Sequence, residues 1–251
     1  MRHSVLGTIR GMGVRANPAF AVGVVAVPVA ALLAAALAGT LQQLTYVHVM
    51  AGVLWTGIDL FMALVLGPVL GGLDGRARAA VFERFTPKLF FLMPTLAVVT
   101  TFGGITLALD LGVFPHAMPW LALFTAAATT LPLLSIGYQF DAFTDRRWLA
   151  FFAIAVLGSG SFLYTTLGAF AWTSPLMLII LADIALLTIL GNGTLMPGEV
   201  RIYYQITSDD PDTDLIGRIG LRNAKLSGVQ GVLQLVIIAA MVYLRWGGLP
   251  L

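Results

Sequence analysis

One apolar stretch holds residues whose types and spacing could do chemistry: His48 to Asp59, H-V-M-A-G-V-L-W-T-G-I-D. On an α-helix, positions i, i+4, i+7 and i+11 share a face, so His48, Gly52, Trp55 and Asp59 form one stripe. A neutral imidazole can serve as an axial ligand of a haem iron. A glycine one turn along lets a flat or bulky group approach the backbone. An ionisable side chain within an apolar span is a candidate functional site. The alternative for His48 is an imidazole hydrogen-bonded to a neighbouring helix or to water.

Other groups extend the candidate chemistry. His116 is the one histidine that could partner His48, because His3 lies in a basic N-terminal segment. The second axial position then falls to His116, a methionine or water, and the alternative for His116 is an exposed link residue. Both histidines occur as His-x-Met, in His48-Val49-Met50 and His116-Ala117-Met118. Imidazole with thioether suits Cu(I). Side chains at i and i+2 of a helix diverge, so His116 and Met118, in a link, are the better copper pair. Asp59 and Asp183 are intramembrane carboxylates that form a proton or cation path, or else are acids hydrogen-bonded to facing Ser and Thr.

The elements that carry these residues are membrane spans. The chain of 251 residues is 59% hydrophobic and 10% charged, against about 25% charged in an average soluble domain. Apolar runs of about 20 residues match the hydrocarbon thickness. Seven are expected, at about 20–40, 44–70, 89–113, 119–139, 148–172, 175–196 and 228–244. The fold class is all-α integral membrane, a seven-transmembrane helical bundle in a single polytopic domain over residues 1–251. The first run is longer than a signal-peptide core and reads as a retained helix. Leu73 to Lys88 reads as a short amphipathic helix on the membrane surface. Pro197-Gly198 is expected to break the sixth span. Asp210 with Pro211 is expected to start a helix, placing Arg218, Arg222 and Lys225 on one face toward lipid phosphates. The Gly-Ser-Gly-Ser run from Gly158 to Ser161 reads as a close helix-packing face.

Charge placement gives the orientation. With a cytoplasmic N-terminus, 13 of the 14 basic residues fall on the inner side, leaving Arg245 outside. The C-terminus is then outside, His48 lies just below the outer surface, and Asp59 is about 16 Å deeper along the same helix. Absent cysteine excludes disulfides, thiolate metal sites and cysteine nucleophiles. No P-loop, H-E-x-x-H, G-x-S-x-G or dinucleotide fingerprint is present. Lys225 lies at the inner end of the last span, so no lysine is placed for a retinal Schiff base.

Residues Tyr46 to Leu107 resemble a known group. H-V-M-A-G-V-L-W-T-G, a basic segment, then F-T-P-K-L-F-F-L-M-P and T-T-F-G-G-I-T-L are similar to the copper-resistance D-like proteins. The same pattern resembles the membrane domain attached to some urate oxidases and an integral membrane family of unknown function. The resemblance covers about a quarter of the chain. It implies a helical bundle that binds haem b or handles copper, with His48 as the matching histidine. Several relatives carry more than one intramembrane histidine, whereas here His48 alone lies in a span.

Three functions follow as expectations for a multi-pass protein of the cell (inner) membrane. The first is a redox subunit with haem b near the outer face, exchanging electrons with a quinone or an outer partner. The second is a copper or other ion/proton-coupled transporter. The third is an accessory subunit packed against other membrane subunits. The lipid bilayer is the one obligatory partner, and nucleic acid is not expected.

Overall fold

The structure is a computed structural model and describes residues 5–246; Arg2 and His3 lie outside the described residues, as do residues 247–251. The described residues form helices joined by short links, with no strand. In chain order they form α1 (Val5–Ala16), α2 (Pro18–Ala38), α3 (Leu41–Gly71), α4 (Gly75–Asp110), α5 (Ala117–Gln139), α6 (Arg146–Ala169), α7 (Pro175–Ile206) and α8 (Thr213–Trp246). Seven of them, α2 to α8, are long and apolar enough to cross a membrane. Many large apolar side chains, such as Leu37, Leu64, Ile154 and Leu157, point outward. That is the pattern of a chain whose solvent is lipid.

Short polar residues set the helix starts. Asn17, Thr40, Asp145 and Ser174 each accept a hydrogen bond from a backbone N–H in the first turn of the following helix. Pro18 and Pro175 occupy first positions, where a missing N–H costs nothing.

Three expectations about boundaries are corrected. Residues 75–88 are not a separate surface helix but the first turns of α4. Ala79 and Phe82 are buried with Leu70, Ile202, Ile216 and Ile219, so this apolar face meets protein rather than lipid. Pro197-Gly198 does not end the sixth span, because α7 runs on to Ile206. The cap of α8 is Asp212, whose Oδ1 accepts from Leu215 N at 2.8 Å, and not Asp210.

Helix α7 survives its proline by widening. Pro197 offers no N–H to the Gly193 carbonyl four residues back. Residues Gly191–Leu195 adopt a π-helical turn just before it. The Gly193 carbonyl instead accepts from Ser135 Oγ at 2.6 Å and from Gln139 Nε2, both on α5. Neighbouring side chains thus satisfy the freed carbonyl, as lipid cannot. Helix α3 repeats the device, with a π turn at Met62–Leu66 ahead of Pro68.

The chain divides into two compact units. Among the described residues, unit 1 holds 5–107 and 198–231. Its turn between α3 and α4 is fixed at both ends. Asp74 Oδ1 accepts from Ala77 N at 2.8 Å. Arg78 donates to the carbonyls of Leu70 (2.9 Å) and Leu73 (2.8 Å), placing a cation at the C-terminus of α3. Along α8, Gly217, Gly220, Ala224, Gly228 and Gly231 form a stripe of small residues. Arg78 and Phe82 of α4 lie against Gly217 and Gly220. Farther along, Ala224 meets Gly67, Gly228 meets Ala63, and Gly231 meets Leu60 of α3. Missing side chains let the helices approach closely, which substitutes for a hydrophobic drive in lipid.

Among the described residues, unit 2 holds 108–197 and 232–246. Phe114, Met177 and Leu181 form its apolar core. Trp120 donates from Nε1 to the Ala171 carbonyl at 2.9 Å and lies against Phe170. Gly137 makes room for Trp148, whose ring stacks on Phe152. The expected packing face at Gly158–Ser161 is not formed by its glycines. Neither Gly158 nor Gly160 has a neighbour within 4 Å of where a Cβ would stand. Substituting both with alanine is therefore expected to raise the unfolding temperature in detergent by a few degrees, since alanine favours a helix over glycine by about 1 kcal/mol per position. A fall would reveal a hidden partner on that face.

Candidate functional site

The site is built on α3. Its start is fixed by a reciprocal cap: Thr40 Oγ1 accepts from Gln43 N (3.2 Å) and Gln43 Oε1 accepts from Thr40 N (2.8 Å). From that start, the buried residues are Leu44, His48, Ala51, Trp55, Thr56 and Asp59. The stripe read from the sequence is thus the inward face of α3, with Gly52 half-buried among them.

The face opposite is α4. His48 Nδ1 lies 2.8 Å from the Thr100 carbonyl. The ring rests on Gly103 and Gly104, where a Cβ would stand 3.1 Å from His48 Cβ and 2.8 Å from His48 Cε1 respectively. In the other direction, Gly52 makes room for Thr100, whose methyl carbon is 3.3 Å from the position of a Cβ. The two helices therefore interlock through glycines on both sides, and the open backbone at Gly52 faces a side chain of α4.

This contact sets the tautomer. A carbonyl only accepts, so Nδ1 must carry the proton; the assignment rests on the partner, not on a visible hydrogen. In the neutral ring Nε2 then presents its lone pair. A histidine whose Nδ1–H is held by a carbonyl is oriented as metal-ligating histidines are, with a fixed ring and a more basic free nitrogen. On these grounds His48 Nε2 is the nitrogen that would hold a haem iron, were one bound. Unit 1 contains no second histidine among its described residues.

The other candidate residues are dispersed. Asp59 is fully buried in unit 1. His116, Met118 and Asp183 belong to unit 2. His116 has a left-handed backbone (φ 54°) at the start of α5 and is exposed, as is Met118 in the next turn. Asp183 is 6% exposed on the α7 face that carries Met177, Ile180 and Leu187, and neither of its carboxylate oxygens has a hydrogen-bond partner. Among the described residues, no group of three or more His, Asp, Glu or Cys side chains gathers to hold a metal ion.

No protein-family model, curated protein or solved structure matches the chain.

Unit 1 also contains buried polar residues in and just beyond the polar segment that follows the expected sixth span. Glu199, on α7 just past Pro197, is buried, and its Oε1 accepts from Asn223 Nδ2 of α8 at 2.8 Å. Thr86 of α4, fully buried, stands beside the same carboxyl. Thr86 Oγ1 and Glu199 Oε2 nevertheless lack the geometry of a hydrogen bond, to each other or to any group. Asn223, Ser227 and Gln230 continue as a buried polar row along α8. Their i, i+4, i+7 spacing was legible. It was obscured by the charges of Arg218, Arg222 and Lys225, which share those turns but point outward.

Proposed function

We propose that the chain is an integral membrane redox subunit in which His48 Nε2 is an axial ligand of one haem b. The observation that carries this reading is the buried His48 ring, held by the Thr100 carbonyl through Nδ1 and seated on Gly103 and Gly104. Bound there, the haem supplies a one-electron couple exchanged with a quinone or an outer partner. The chain's own part is to fix the imidazole. The Thr100 carbonyl sets the tautomer, and burial keeps water from the ring. The excess of basic residues expected on one side supports a cytoplasmic N-terminus, and with that orientation His48 would lie near the outer face.

The test is an absorption spectrum of protein expressed with haem available. A Soret band with haem near stoichiometric is expected for the native chain. His48→Ala is expected to retain less than roughly a tenth of it, since the substitution removes the ligand itself. A native protein without a Soret band sinks the reading.

One observation favours a second reading, that of an ion- or proton-coupled transporter. Asp183 is buried without hydrogen bonds, and carboxylates in that state within spans mark ion or proton paths. Metal analysis of the same preparation separates bound copper from haem.

A further inference from the structure

From the buried polar row in unit 1 we infer that Glu199 is the entry point of a proton path that runs along Asn223, Ser227 and Gln230 of α8 to Asp59. The path is separate from the haem reading and holds whether or not haem binds.

The entry is built from three helices. Arg222 is exposed on α8 and donates from Nη2 to Asn223 Oδ1 at 3.1 Å. Asn223 in turn donates from Nδ2 to Glu199 Oε1 at 2.8 Å. An exposed cation is therefore joined through one amide to a carboxyl that is 9% exposed. Glu199 Oε2 remains with no hydrogen-bond partner, beside the equally unpartnered Thr86 hydroxyl. A buried carboxylate oxygen that makes no well-formed hydrogen bond is costly when charged. A proton on Oε2 removes that cost and provides a donor for Thr86 Oγ1. The charged groups that act on this site are Arg222 and, behind it, Arg201 of α7. Arg222 is exposed, so the carboxyl lies one amide away from water.

The row beyond Glu199 is continuous in height. Ser227 is one turn along from Asn223, about 6 Å, and Gln230 is about 4.5 Å further. The seam of α8 with α3 fixes where Asp59 lies. A Cβ at Gly231 would stand 2.7 Å from Leu60 Cδ2, and one at Gly228 would stand 2.8 Å from Ala63 Cβ. The two helices are thus antiparallel, and Asp59 and Gln230 lie within about 3 Å in height. All of these side chains are buried, and Asp59 is the only carboxylate of α3. A proton from water at the Arg222 end binds the Glu199 carboxylate. It is then passed through water molecules along the row to Asp59, which releases its own proton to that water in exchange, so that only O–H bonds are made and broken.

The experiment follows hydrogen–deuterium exchange at Asp59 by infrared spectroscopy of the full chain in nanodiscs. The carbonyl stretch of neutral Asp59 is the band lost in Asp59→Asn. On transfer to D2O it is expected to shift quickly in the native protein. It should shift roughly 100-fold more slowly in Glu199→Gln, which loses a positioned acid–base group. Glutamine keeps the oxygen that accepts from Asn223, so a purely structural role for Glu199 predicts native exchange. Glu199→Asp should recover part of the rate, and Glu83→Gln, an exposed carboxylate on α4, should leave it native. If Glu199→Gln does not fold, Ser227→Val and Gln230→Leu test the same row and should also slow exchange. Native exchange in folded variants of all three positions overturns the path, as does the absence of a band lost in Asp59→Asn. Haem content measured on the same samples is expected to be unchanged, so failure of this path and failure of haem binding give different results.

Discussion

Gly220→Leu is expected to destabilise the protein more than any other single substitution in the α8 seam. The position sits under Phe82, and even a Cβ there would overlap three atoms of the ring. The ring cannot move aside cheaply. Phe82 is 1% exposed and closed in by Leu70, Ala79, Ile202, Ile216 and Ile219. Overpacking a close-packed core costs about 1–3 kcal/mol for added methylenes, and a leucine here adds a whole side chain to occupied space. A loss of about 3 kcal/mol or more corresponds to a fall of about 10 °C in unfolding temperature for a chain of this size. Thermal unfolding in detergent checks it. Gly158→Leu, where nothing stands within 4 Å, is the matched control and should stay within a few degrees. Phe82→Leu combined with Gly220→Ala should recover part of the loss, because volume returns across the same contact. Native-like melting of Gly220→Leu would mean that α4 and α8 do not meet at this seam.

How much of this was legible in the sequence depends on which physical rule governs each residue. The seven spans follow from hydropathy, which lipid enforces without regard to tertiary contacts. The inward stripe of α3 was also legible, since helical period alone places His48, Trp55 and Asp59 together. Span ends were harder. Charged residues at 76–88 and 199–225 suggested surface segments, yet those turns are amphipathic halves of continuous helices. Their apolar sides are buried together, with Phe82 against Gly220 and with Ile202 and Ile216 in the same cluster. The small-residue stripe from Gly217 to Gly231 was the available sign of that packing. The partner of His48 was not legible at all. A backbone carbonyl carries no residue type, so nothing in the identity of Thr100 announces the bond. Gly103 and Gly104 are informative only once the crossing point of α3 and α4 is known.

That crossing point makes Gly104→Val the most discriminating substitution at the histidine. A Cβ at 104 would stand 2.8 Å from His48 Cε1 and 3.4 Å from Nδ1. Such a carbon needs a displacement of several tenths of an ångström before the valine methyls are placed. The ring must therefore rotate away from α4, and the 2.8 Å bond from Nδ1 to the Thr100 carbonyl breaks. One net hydrogen bond is worth about 1 kcal/mol, and local overpacking adds about 1–3 kcal/mol. The fold should survive that loss, while a ligand displaced by about 1 Å no longer holds its metal well. Nitrogen-15 spectra of the imidazole are expected to show a protonated Nδ1 in the native protein and a mixed tautomer in Gly104→Val. Haem content should fall to less than roughly a tenth if the ring supplies the ligand, as that displacement predicts. Gly57→Val, on α3 with open space around it, should change neither. The two readouts separate the possibilities. A lost tautomer with unchanged haem would keep the contact and remove His48 from ligation. An unchanged tautomer would mean that the ring does not lie on Gly104.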